Sequence, residues 1–186
     1  SLGLQSVGAY VPLHLALDDD SFEADLERMA VTCRELTATG AHLAILADEG
    51  SPELLLHPAR EGTALALDTA AWHLATHRLA RAVALAREHG LAASFHPHIS
   101  TYVESAWEVD RLIDTTDVTL TLDIGHMALA GADPVDCVHR WRDRIDHIHV
   151  KDVDRGVLQA AKSDGRADFD AWWVDVCVPL GAVMST

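Results

Sequence analysis

Three stretches of the chain interleave imidazoles, carboxylates and a lysine with apolar residues: Ala92–His98 (AASFHPH), Val118–Asp123 (VTLTLD) with His126 just beyond, and Asp146–Lys151 (DHIHVK) with Asp152 next. Side chains of a strand alternate between its faces. Thr119, Thr121 and Asp123 therefore share a face opposite Leu120 and Leu122, and His147, His149 and Lys151 one opposite Ile148 and Val150. Likewise Ser94, His96 and His98 lie opposite Phe95, and His42 lies opposite Leu43 and Ile45. Each strand is polar on one side, and the reactive groups gather at the C-terminal ends. Imidazole and carboxylate arriving from separate strand ends form the mixed N and O donor set of a divalent cation such as Mn²⁺, Co²⁺ or Zn²⁺. The plainer account, in which each group caps a helix or bonds a backbone carbonyl, serves equally well for any one residue. It serves less well for three strands that do the same thing.

These residues need a scaffold. Short apolar runs alternate with stretches of helical spacing, the pattern of successive βα units on parallel strands. Five strands are predicted, at Gln5–Val11, Ala41–Asp48, Ala92–His98, Val118–Asp123 and Asp146–Lys151, with a weaker sixth at Val176–Leu180 that contains Pro179. Helices are predicted over Ser21–Thr39, following the acidic run Asp18–Asp20 and stopping at Gly40, and over Thr63–His89, stopping at Gly90. Two more are predicted over Ser105–Asp114, with a Ser cap and Glu108 at capping-box spacing, and over Asp133–Arg142, with an Asp cap and Pro134 in the first turn. Five such units suit an open doubly wound sheet or part of a (β/α)₈ barrel. A complete barrel takes about 250 residues, so length favours the open sheet. The lack of a glycine-rich phosphate loop and the polar strand faces favour the barrel, whose chemistry sits at the C-terminal strand ends.

Composition bounds the rest. The chain has 186 residues, 49% hydrophobic and 23% charged, a globular balance that excludes a disordered chain or a disulfide scaffold and predicts one domain over 1–186. Fourteen Lys and Arg against 29 Asp and Glu give a net charge of −15, the wrong sign for tracking phosphates or anionic lipid. Neither nucleic acid nor a membrane is an expected partner. Cys33, Cys137 and Cys177 form no CxxC pair and read as buried reduced thiols. With no leader-like N-terminus and no run of eighteen apolar residues, the expected location is cytoplasmic. Asp48 and Glu49, at a strand end, read as capping or solvated carboxylates that could also touch a ligand. The five tryptophans read as packing, the helical His73, His77 and His89 as solvent-facing, and Lys162–Arg166 as a turn.

The segments FHPHISTYVES, LTLDIGHMALAGADP and DRIDHIHVKDV closely resemble motifs of the inosose dehydratase group within the sugar phosphate isomerase/epimerase superfamily, the xylose isomerase-like TIM barrels. The resemblance runs from GLQSVGAYVP to CVPLG. It implies an incomplete (β/α)₈ barrel, from about its third strand to its seventh. Members of the superfamily hold a divalent metal with Glu, Asp, His and a final Glu from the eighth strand. Asp123 matches the Asp and His149 the His. Aligning on Thr101 puts His96 where relatives carry the first Glu, and no residue matches the last. The implied metal ligands are thus His96, Asp123 and His149, with Glu104 as a substrate contact and Asp152 as a residue that orients a ligand or meets substrate. Proton transfer falls to His98, His126 or Lys151, with no choice among them. The implied cation is Mn²⁺ or Co²⁺ first, then Zn²⁺ or Mg²⁺, and the implied substrate is a small polyol or keto sugar. The implied reaction is dehydration of a keto-cyclitol such as inosose, with a sugar phosphate or hydroxypyruvate-type isomerase or epimerase as the alternative. A reading of another class is a non-catalytic partial barrel that binds metal or a partner. The open edges of an incomplete barrel predict a homo-oligomer.

Overall fold

A computed structural model describes residues 3–166 and 169–183. Its frame is a five-stranded parallel sheet, β1 (Gly8–Leu13), β2 (Leu43–Asp48), β3 (Ala92–Phe95), β4 (Thr119–Asp123) and β5 (Ile145–His149), in that spatial order. The helices are α1 (Asp19–Thr39), α2 (Pro52–Leu55), α3 (Thr69–Glu88), α4 (Ala106–Thr115), α5 (Ile124–Leu129), α6 (Pro134–Trp141), α7 (Arg155–Ser163) and α8 (Phe169–Val176). Sequential strands that lie side by side in parallel are what βα crossovers of one hand build, and the result is an arc of a (β/α)₈ barrel that does not close among the described residues.

The alternation read from the sequence explains where the core sits. Leu46, Phe95, Leu120 and Leu122 turn outward into one buried cluster with Phe22, Met29 and Cys33 of α1, Trp72 and Leu79 of α3 and Val109 and Leu112 of α4. The opposite faces carry polar groups into the barrel interior, where Ser94 Oγ and Thr121 Oγ1 satisfy each other at 2.5 Å. A second, smaller cluster joins Ile99, Leu129, Val153, Leu158, Trp172 and Val176.

Caps place the helices. Asp18 accepts from Ser21 N at 2.8 Å, so α1 begins two residues before the expected Ser21, and Gly40 ends it at φ 76°. Asp68 accepts from Ala71 N at 2.8 Å, which starts α3 at Thr69 rather than Thr63. Asp133 takes the Val135 and Asp136 amides at 2.7 and 3.2 Å ahead of α6, as its DP sequence implies.

Several strands differ from expectation. The third stops at Phe95 because Pro97 has no N–H to continue the ladder, and His96 and His98 stand just past its end. The first is shifted to Gly8–Leu13. The weak sixth shrinks to β7 (Cys177–Val178), which pairs antiparallel with β6 (Asp152–Val153) outside the main sheet. The apolar face expected of the fifth strand is open to solvent, with Ile148 45% and Val150 60% exposed. Cys33 and Cys137 are buried as expected, whereas Cys177 is exposed. Among the described residues no helix is long and apolar enough to cross a membrane.

Candidate functional site

Asp123 ends β4 and begins α5, and its two carboxylate oxygens do different work. Oδ1 accepts from the amides of Gly125 and His126 at 3.0 and 3.1 Å, which caps α5 and uses both lone pairs of that oxygen. Oδ2 faces the barrel interior. It meets the Lys151 ammonium in a close ion pair and lies 3.6 Å from His149 Nδ1. A hydrogen bond from His96 Nδ1 to Thr121 O, at 3.3 Å, leaves the other ring nitrogen of His96 with a lone pair. His96, Asp123 and His149 each present a ligand atom within 4.8 Å of the others, and so do His96, His98 and His126.

His98 Nδ1 donates to Ile99 O at 2.7 Å, which again leaves Nε2 as the acceptor. The His126 ring packs 3.9 Å from that of His98 and stacks on Trp173, at 5.3 Å and 4° between planes. Phe169 backs Trp173 at 4.8 Å. Lys151 Nζ stands 3.2 Å from His126 Nε2, so one ammonium touches both Asp123 and His126. Gly125 permits this closeness, since a Cβ there would lie 2.7 Å from Lys151 Cβ and 3.1 Å from Val153 Cγ1.

Burial and a crowd of like groups keep these imidazoles neutral. Desolvation, then His98, His149 and Lys151, push His96 down to about 3. Burial is the leading cause that also lowers His98, lowers His126 well below the usual imidazole value, and lowers His149, where the Asp123 charge opposes it. Neutral imidazoles keep the lone pair that ligates a metal, and with the carboxylate oxygen of Asp123 beside them this donor set fits a borderline divalent cation.

The structure thus brings together His96, His98, Asp123, His126, His149 and Lys151 from three strand ends, as the alternation implied. It places the remaining two elsewhere. Glu104 is 1% exposed, and it is spent on the loop after β3. Its Oε2 accepts from Ser100 N at 2.7 Å, while Oε1 accepts from Arg60 N at 2.9 Å and pairs with the Arg60 guanidinium at 2.8 Å. Arg60 also donates to Thr101 O at 2.7 Å and pairs closely with Glu108. Asp152 is buried on β6, where Oδ2 accepts from Val183 N at 3.1 Å. Asp48, read as a capping or solvated carboxylate, is buried and holds the loops at the strand ends by accepting from Leu15, Gly50 and Tyr102 amides at 3.4, 3.0 and 3.0 Å. Two contributors carried no recognisable signal in the sequence. Arg60 lies 44 residues from Glu104, and Trp173, read only as packing, lies 47 from His126.

A family model described as xylose isomerase-like TIM barrel matches residues 2–181. The chain belongs to that family. Within the xylose isomerase-like TIM barrels it is an inosose dehydratase-like member, as its three motifs imply. The inosose dehydratase of Geobacillus kaustophilus is 34% identical over 158 residues, which cover 82% of this chain and 51% of that protein. That of Lacticaseibacillus casei is 37% identical over 122 residues, 63% of this chain and 41% of that protein. The chain spans about half the length of the curated relatives it matches. Among solved structures, the IolI protein with a bound zinc atom superposes with a TM-score of 0.63 at 11% identity, over 81% of this chain and 52% of that one, a likeness that shows the fold.

Proposed function

We propose that this chain carries the metal-holding strand ends of a dehydratase acting on a keto-cyclitol such as inosose, or on a related keto sugar. The observation that carries the proposal is the convergence of His96, Asp123 and His149 within 4.8 Å, at the barrel end where this fold does its chemistry. The similarity to inosose dehydratases supports the substrate class. A divalent cation on these three residues, Mn²⁺ or Co²⁺ by the donor set with Zn²⁺ or Mg²⁺ as further options, supplies a Lewis acid for the ketone oxygen, where charge collects as the neighbouring C–H proton leaves.

The chain's own residues do the rest. Of the three proton-transfer candidates, His98 is the best placed base. It is neutral, its Nδ1 is fixed on Ile99 O so that Nε2 accepts, and it is only partly buried, whereas His126 is 1% exposed beneath Trp173. His98 Nε2 takes the proton from carbon, and Lys151 Nζ, on a side chain 31% exposed, gives one to the departing hydroxyl so that water leaves. Trp173 and Phe169 wall this side against solvent.

The test is metal analysis of the protein as isolated and after Mn²⁺ loading, followed by NMR of a keto-cyclitol in D₂O. Roughly one metal per chain with loss of substrate as water is the expected result. Solvent exchange at carbon without water loss would instead identify an isomerase or epimerase. Absence of metal from both samples would leave a partial barrel without its Lewis acid.

A further inference from the structure

Lys151 has a place that a general acid alone would not need. Its ammonium sits against Asp123 Oδ2 and 3.2 Å from His126 Nε2, so it touches one member of each of the two ligand sets that share His96. Asp123 Oδ1 is already saturated by the Gly125 and His126 amides, which leaves Oδ2 as the one oxygen of this carboxylate with capacity for a cation. That oxygen is buried, with the Asp123 side chain 0% exposed, and an unpaired charge there is costly. Lys151 supplies the balancing positive charge.

We infer that Lys151 is the resident counter-cation of the site, and that the metal and the Lys151 ammonium compete for Asp123 Oδ2. Loading then turns the lysine out of the carboxylate toward the open side of the site, where substrate must lie. This rests on the proposed function and deepens it. A lysine held by Asp123 is unavailable to a leaving hydroxyl, and a lysine released by the cation is available, so the acid is delivered only in a loaded site. Two like charges on one carboxylate oxygen repel strongly where water does not screen them, so the two occupants exclude each other.

The experiment titrates Co²⁺ into the wild-type protein and Lys151→Met, with affinity read from the visible absorption of the bound ion. In parallel, the rate at which Lys151 of the wild type is acylated by an amine reagent is followed by peptide mass spectrometry, with and without Co²⁺. The expected results are an affinity roughly ten-fold higher in Lys151→Met and faster acylation of Lys151 in the loaded wild type. Equal or weaker binding by Lys151→Met, or acylation slowed by Co²⁺, overturns the competition while leaving the metal site in place. Binding by neither protein overturns the metal reading and the competition with it. The acylation measurement needs no variant, so it decides the matter even if Lys151→Met folds poorly.

Discussion

Replacing Arg60 by Met tests whether the loop that carries His98 is held by buried charge. The guanidinium is 6% exposed, and its partners Glu104 and Glu108 are 0% and 2% exposed. Met keeps most of the aliphatic volume but leaves two buried carboxylates without a counter-charge. Removing one partner of a buried ion pair costs about 3–5 kcal/mol, and the lost bond to Thr101 O adds to it. The cost must also depend on pH. Burial already holds the Glu104 carboxyl above the usual range despite Arg60, and without the arginine it shifts further up. A carboxyl raised in the folded state lends stability that is present in acid and lost as pH rises through its folded value. The deficit of Arg60→Met is therefore larger at about pH 8 than at about pH 5. Urea unfolding of both proteins at each pH measures it. A loss below about 1 kcal/mol, typical of exposed ion pairs, or a deficit that does not grow with pH, would refute the reasoning.

Other substitutions probe neighbouring features. Burial pushes the Asp48 carboxyl up to about 6, so the fold loses stability as pH rises from about 4 through 6, by about 3 kcal/mol in all; Asp48→Asn, whose amide oxygen can keep the Gly50 and Tyr102 bonds, should flatten that slope in urea unfolding across the range. Gly50 stands at φ 64°, and a Cβ there would lie 2.8 Å from Ser100 O, so Gly50→Ala should cost about 1–3 kcal/mol by thermal unfolding, and an unchanged melting point would contradict the close approach. Asp123→Asn keeps the oxygen that caps α5 and removes the charge facing the site, so calorimetric Mn²⁺ affinity should fall by at least about 100-fold while far-UV circular dichroism is unchanged. A fall below about ten-fold would remove Asp123 from the ligand set.

The sequence was most informative where one physical rule acts over neighbouring residues. The two-residue alternation of VTLTLD separated Leu120 and Leu122, which are packed on helices, from Thr121 and Asp123, which line the interior. Ser105 with Glu108, and Asp133 with Pro134, located two helix starts to within a residue. Where a residue serves two elements at once the reading was weaker: Asp123 both ends β4 and caps α5, and the six residues of α5 are too few to show a helical period. Glu104 was a substrate contact by resemblance alone, and nothing near it in sequence announces Arg60. Its partners are Arg60 and the Ser100 amide, and such burial depends on chain segments far apart. Trp173 is the same case: a WW pair on a short helix says packing, and only the fold shows that His126 is what it packs against.

Gly125 sets how near two chain segments can come. The first turn of α5 and the exit of β5 meet across the space its side chain would fill, and Lys151 reaches Asp123 and His126 only because of that nearness. One methyl group would have to push the lysine's own Cβ aside or swing the helix away. Either movement draws the cation away from its carboxylate. The site's dimensions are thus metered by an absent carbon rather than by any group that reacts. A survey of reactive side chains would pass over the residue whose smallness keeps them within reach of one another.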